Sequence, residues 1–331
     1  VSDQRRGMSA KTIKKVIKAK LADWVKHVDD ESVADLIRRH AVVTGGCIAS
    51  MLLGEEVKDF DVYLDSREAA LRAARYYCDK FNELHPEREN LLGHPAVAYV
   101  LDFADQEQVE REERECRGAG HLLCNDPQRI KIVIRSDGVA AEDRSHLDES
   151  FSDVYEVLEE ADETAAPEEP KRPRYRPVFL SSNAITLANK VQVVVRFFGS
   201  ADKIHENYDF AHCTNYYEAA SDQLVLRPAA MQALLARQLV YQGSKYPICS
   251  MIRTRKFLQR GWHINAGQYL KMAFQVSELN LRDLAVLEDQ LVGVDSAYFL
   301  QLIAALQERQ SADLDFQVTA PYLATIVDRL F

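Results

Sequence analysis

Residues 42–64 read VVTGGCIASMLLGEEVKDFDVYL, and this stretch decides the fold. Ala41 to Thr44 is a short apolar run suited to a buried strand. Gly45 and Gly46 let the backbone approach a phosphate, where a side chain would stand in the way. Cys47 to Leu53 is a short apolar helix whose first N–H groups face an anion. Val57 to Leu64 alternates as a strand does, so Asp59 and Asp61 project from one face. Two neighbouring carboxylates repel each other unless a cation lies between them. Such an oxygen pair suits Mg2+, or Mn2+, held together with substrate phosphates.

The same residues, Gly45-Gly46, Leu52-Leu53-Gly54 and Asp59-Phe60-Asp61, resemble the signature of the polymerase-β-like nucleotidyltransferase superfamily. The form is most similar to the heads of tRNA nucleotidyltransferases and bacterial poly(A) polymerases. The resemblance covers residues 42–64 and extends to about residue 220. It implies an α+β catalytic head, a mixed β-sheet flanked by helices, over residues 1–225, with an acidic insertion at about 105–177. A helical domain follows over 226–331. It also implies an NTP-dependent enzyme that moves a nucleotidyl group to an acceptor hydroxyl and releases pyrophosphate. The acceptor expected first is an RNA 3′ end. The alternatives are a protein or small-molecule acceptor, or an inactive structural or binding protein that keeps the fold.

Under that resemblance, Asp59, Asp61 and Asp209 are the catalytic residues and hold two Mg2+ or Mn2+ ions. Gln192 is a second position for the third ligand. Asp209 is favoured because it lies between aromatic residues, where an unpaired charge is costly. Gly45, Gly46, Cys47 and Ser50 are the nucleotide-binding candidates of the head. Arg253 and Lys256 join them: they lie one helical turn apart in a cation-rich stretch with Phe257 and Trp262, and can converge on a triphosphate.

The remaining sequence bounds the class. A chain of 331 residues with 47% hydrophobic and 28% charged residues has ample core for two domains. No apolar run approaches the roughly 20 residues of a membrane span, and no signal peptide opens the chain, so a cytoplasmic protein is expected. Cys47, Cys78, Cys116, Cys124, Cys213 and Cys249 follow no disulfide framework, in keeping with a reducing compartment. Cys116, His121 and Cys124 match no familiar zinc spacing. A net charge of −10 argues against a broad nucleic-acid-binding surface. Oligomeric state is not fixed by the sequence.

Local patterns predict further elements. An amphipathic basic helix follows Ser9, with Ile13, Ile17 and Trp24 on its apolar stripe. It reads as a solvated basic face, or as a guide for RNA or a nucleotide. Helices are predicted over Ser32–Arg39, Ser66–Leu84, Ala229–Gln242 and Ser250–Arg260, and strands over Ile130–Ile134, Val178–Leu180, Val191–Phe197 and Asn207–Cys213. Ser136-Asp137-Gly138 is read as a hairpin turn. Glu159 to Pro177, rich in Pro and charge without an apolar period, is read as a mobile linker.

Overall fold

The computed structural model describes residues 6–86, 97–115, 126–134, 140–141, 173–281, 286 and 290. The readings of Cys116, His121, Cys124 and the Ser136-Asp137-Gly138 turn, and most of the predicted linker, lie outside the described residues.

The chain opens with α1 (Ala10–Val25) and α2 (Glu31–His40), then β1 (Ala41–Thr44), α3 (Gly46–Leu53), β2 (Phe60–Leu64) and α4 (Arg67–Leu84). Each of the longer helices starts on a polar cap. The Ser9 hydroxyl accepts from Thr12 N–H, Asp30 accepts from Ser32 and Val33, and Ser66 accepts from Ala69. A cap of this kind contributes about 1 kcal/mol. Full burial of Ile13, Ile17 or Trp24 contributes roughly 1.5–3 kcal/mol each, so packing rather than capping holds α1 in place. The Trp24 indole N–H is satisfied by the Tyr77 hydroxyl at 2.6 Å.

Next come β3 (Ala98–Asp102), α5 (Gln106–Glu115), β4 (Ile130–Ile134) and β5 (Ala140–Ala141). They are followed by β6 (Pro177–Leu180), β7 (Ala184–Leu187), β8 (Val191–Val194) and α6 (Ala201–His205). β9 (Tyr216–Glu218) and β10 (Gln223–Val225) close the sheet. Its eight strands run in the order β10-β9-β1-β2-β8-β7-β6-β5. β2 and β8 are parallel and every other pair is antiparallel, so the sheet is mixed. This is the α+β architecture expected from the sequence: a mixed sheet flanked by helices. β4 is the predicted Ile130–Ile134 strand, but it pairs with β3 in a separate two-stranded sheet.

The faces of the large sheet divide the labour. Val43, Val62, Leu64, Val193, Ile185 and Leu187 point into the main core, against Ile13, Ile17, Trp24, Ile37 and Ala70 of the first helices. On the other face Val42, Tyr63, Val194 and Ala184 pack beneath Ala201 and Ile204 of α6. Asp61, the functional candidate carried by β2, lies on this second face, whereas Asp59 precedes the strand, which begins at Phe60 and not at the predicted Val57.

Two expectations need correction. The end of the predicted mobile linker is packed: Tyr175 and Arg176 are buried, Tyr175 donates to Asp23 at 2.8 Å, and Pro177 already belongs to β6. The Asn207–Cys213 strand reduces to a single bridge between Phe210 and Tyr241, after which Ala211–Cys213 turns into a 3-10 helix.

The chain then becomes mainly helical, with α7 (Pro228–Ala236), β11 (Gln238–Leu239), α8 (Pro247–Gln259), β12 (His263–Ile264) and α9 (Ala266–Ser277). α7 stops well short of the predicted Gln242. Arg237 adopts φ 47°, a left-handed conformation that ends the helix, and its guanidinium pairs with Glu55 at 3.2 Å. Arg260 reaches the same carboxylate. Ala49 of α3 joins Phe210, Leu234, Leu239, Tyr241, Trp262 and Met272 in a shared core. The helical part is thereby anchored to the glycine-turn helix.

Candidate functional site

The β1–α3 turn is built around Gly45, at φ 84° and ψ −150°. This backbone conformation is open to glycine and costly for a side chain. Its N–H donates to the Cys213 carbonyl at 3.1 Å. A Cβ on Gly45 would press into Asp61 Oδ2, so a side chain here would displace that carboxylate. Gly46 opens α3 and faces empty space.

Register places the rest. Thr44 lies opposite Asp61, Asp61 opposite Gln192, and Gln192 opposite Thr186. Directly opposed residues share a face, so β1, β2, β8 and β7 carry one continuous polar row. Asp59 and Asp61 are half-buried. Gln192, the second candidate for a third ligand, is the immediate neighbour of Asp61 on the adjacent strand.

Cys47 is buried and donates its thiol to the Thr44 carbonyl at 3.4 Å. Burial first, then the fields of Asp61 and Asp59, push its pKa well above the usual thiol range. Cys213 is pushed up in the same way, by burial and then by Asp209, with Asp61 contributing. Both thiols are therefore neutral at physiological pH. Their shifts show that Asp59 and Asp61 lie near Cys47, and Asp209 and Asp61 near Cys213. Ser50, further along α3, is buried.

Asp209 is buried and bonded to Arg253 Nη1 at 2.7 Å. The structure thus joins a predicted carboxylate ligand to a predicted phosphate contact. Lys256, one turn further along α8, is exposed. Among the described residues, no group of three His, Cys, Asp or Glu side chains is arranged to hold a metal ion. Of the predicted ligands, Asp61 lies against the turn, the Gln192 amide is its neighbour on the adjacent strand, and Asp59 precedes β2. All are hard oxygen donors, and the missing Cβ of Gly45 keeps Asp61 accessible, so the set fits Mg2+ or Mn2+ better than a thiophilic metal.

Sequence reasoning missed the residues beneath the turn. The Thr44 hydroxyl bonds to the Asn215 carbonyl at 2.8 Å, the Cys213 carbonyl at 3.2 Å and His205 Nε2 at 2.8 Å. Tyr208 is half-buried beside Tyr63, close enough to Asp61 that desolvation and then these neighbours raise its pKa. His205 and Tyr208 stand far from the motif in sequence, and only the packing of α6 brings them there. His212 lies in the 3-10 helix that follows Phe210. It is buried with neither ring nitrogen hydrogen-bonded, 4.2 Å from the Trp262 ring and 4.8 Å from Phe257.

Fold and site define an α+β protein with a mixed sheet whose α6-covered face carries Asp61 beside a glycine turn. A family model for the Gabija anti-defense 2 family matches residues 15–237, well over half the chain, and the chain belongs to that family. The protein named "Gabija anti-defense 2" of Bacillus phage SPbetaL7 is 19% identical over 140 residues, which is 42% of this chain. The chain spans only 34% of that relative's length.

This membership overturns the resemblance drawn from residues 42–64. The family is an anti-defense family, not the polymerase-β-like nucleotidyltransferases with their tRNA-nucleotidyltransferase and poly(A)-polymerase heads. Nucleotidyl transfer to an RNA 3′ end, and the description as an RNA polymerase-like transferase using ATP, fall with it. The motif matches the order strand, glycine turn, helix, strand, with β2 starting at Phe60 so that Asp59 falls outside it, but it is a short stretch, while the family match extends across the whole large sheet. No helix among the described residues is long and apolar enough to cross a membrane.

Proposed function

We propose that this protein opposes the Gabija defence by binding a Gabija protein. The observation that carries this reading is the family match over residues 15–237, which takes in both faces of the sheet and the glycine turn. The name of the phage relative supports the same direction. The test is a plating assay. Cells carrying Gabija should become permissive to a Gabija-sensitive phage when this chain is expressed, and the tagged chain should retain a Gabija protein on purification. Unchanged phage restriction with the chain well expressed would reject the reading.

A second reading concerns what the glycine turn adds, and the fit of Gly45 against Asp61 favours it. Here the centre binds an NTP with a divalent cation and transfers its nucleotidyl group to a protein hydroxyl. The acceptor oxygen bonds to the α-phosphorus, the bond to the leaving pyrophosphate breaks, and the hydroxyl proton passes to solvent. Asp59 and Asp61 would hold the cation, which supplies charge neutralisation at the α-phosphate. Gly45 and Gly46 would lie along the phosphates, with Arg253 as the adjacent positive charge. Replacing Asp59 and Asp61 by Ala separates the readings. Protection of the phage survives under binding alone and disappears under transfer.

A further inference from the structure

We infer that His205 is a positioning residue for the Gly45–Asp61 centre, setting the turn through the Thr44 hydroxyl; this rests on the reading of that centre as a cation and phosphate site.

Hydrogen-bond chemistry fixes the arrangement. The Asn215 and Cys213 oxygens are backbone carbonyls and only accept. The single Thr44 hydroxyl proton is therefore donated to them, with the shorter contact, 2.8 Å, to Asn215. With its proton on the Asn215 carbonyl, the Thr44 oxygen is left to accept at 2.8 Å from His205 Nε2–H, the arrangement we assign. His205 is thus the tautomer with its proton on Nε2. Its Nδ1 is bare, buried and without a partner. The ring is held edge-on by Tyr208 at 4.9 Å and Tyr216 at 5.6 Å between centroids. His205 is the last residue of α6, the helix that covers this face through Ala201 and Ile204.

Thr44 occupies a decisive position. It is the last residue before the glycine turn and lies directly opposite Asp61. The carbonyl that takes part of its hydroxyl also takes the Gly45 N–H. His205, Thr44, Gly45 and the 213–215 segment therefore form one connected network. If the His205 donor is removed, the Thr44 oxygen loses its only side-chain donor. The turn is then free to shift against Asp61, where the clearance is too small for one added Cβ. His205 touches no proposed ligand, so its effect passes through Thr44.

The experiment is Mn2+ titration of the full chain, followed by loss of the free-ion paramagnetic resonance signal, with a thermal melt of each variant. His205→Ala should weaken Mn2+ affinity roughly tenfold, the worth of one buried hydrogen bond. His205→Gln, whose side-chain N–H2 can still reach Thr44, should recover most of it. Thr44→Val should mirror His205→Ala and Thr44→Ser should not, and this pair carries the test if His205→Ala does not fold. The double variant His205→Ala with Thr44→Val should bind no worse than either single variant. A folded His205→Ala protein with wild-type affinity, or equal losses in the Ala and Gln variants, would overturn the role of His205. A wild-type chain that takes up no Mn2+ would overturn the reading of the centre itself, and the inference with it.

Discussion

Acid should destabilise this protein well before its carboxylates titrate, because two buried histidines are held neutral. Burial lowers the His205 pKa to about 4, with Arg227 adding to the effect and Asp202 opposing it. Burial lowers His212 to about 3, helped by Arg260. Tyr208 and Tyr216 also flank the His205 ring. A histidine in the unfolded chain titrates near 6.5. Its lowered native pKa therefore contributes stability that is fully present above about pH 6.5. That stability is lost as pH falls toward the native value, since the unfolded chain binds a proton that the native protein refuses.

At about pH 5 the unfolded state carries almost one proton on each histidine and the native state almost none. The loss is about 2 kcal/mol for each residue and about 4 kcal/mol for the pair. This is a large part of the 5–15 kcal/mol typical of a folded domain. Asp79, whose pKa burial raises, binds its proton early in the native state and offsets a fraction of the loss. Urea unfolding at several pH values between 7.5 and 5 measures the effect. The slope should approach two protons taken up per chain unfolded, or about 2.7 kcal/mol per pH unit. His212→Phe should remove one proton from that slope and raise stability at the acid end. Its ring sits among Phe210, Phe257 and Trp262 with no hydrogen bond to lose. A flat profile from pH 7 to 5 would refute the reasoning, as would a His212→Phe slope equal to wild type.

Other outcomes follow from the same geometry. Gly45→Ala should destabilise by roughly 1–2 kcal/mol through its positive φ alone and should weaken Mn2+ binding by pushing on Asp61; melts and titration check both, and wild-type values would be counter-evidence. Asp61→Asn should keep the fold and lose Mn2+ affinity, as isothermal calorimetry would show; an unchanged affinity would remove Asp61 from the centre. Arg253→Ala leaves the buried Asp209 carboxylate uncompensated and should cost about 3 kcal/mol, while Arg253→Ala combined with Asp209→Asn should cost much less. Additive losses in that double variant would mean the pair is not coupled.

Much of the fold was legible because periodicity and caps act locally. β1 ends where Thr44 meets the glycine turn, α1 starts at the Ser9 cap and α4 at the Ser66 cap, and β8 is the apolar run read as a central strand. The prediction was poorest where tertiary contacts decide. Ala184–Leu187 is a four-residue strand between two tight hairpins and Tyr216–Glu218 a three-residue strand that joins the sheet by pairing with distant β1, and runs so short carry no periodic signal. Ala229–Gln242 carries a helical pattern to its end, yet Arg237 turns left-handed where Glu55 engages it. Asp209 and Arg253 were read separately, one for a cation and one for phosphate, because sequence spacing cannot show that they meet.

The same limit explains why a sound motif led to the wrong family. A glycine turn followed by an acidic strand is a solution to a local problem: bringing backbone close to a carboxylate without a Cβ between them. Gly45 and Asp61 meet that requirement. The identity of a partner or ligand is decided elsewhere, by whatever borders the turn. In this protein that border is α6 with His205, the 209–215 segment and the first turns of α8 carrying Arg253. None of those residues belongs to the motif, and an amide, Gln192, stands beside Asp61 where a further carboxylate would extend the acidic set. A centre with two carboxylates, an amide and an arginine-bound aspartate carries less negative charge than three free carboxylates would. It should therefore hold cations more weakly, and one ion in preference to two. The number of Mn2+ ions bound per chain is a direct measure of that charge balance.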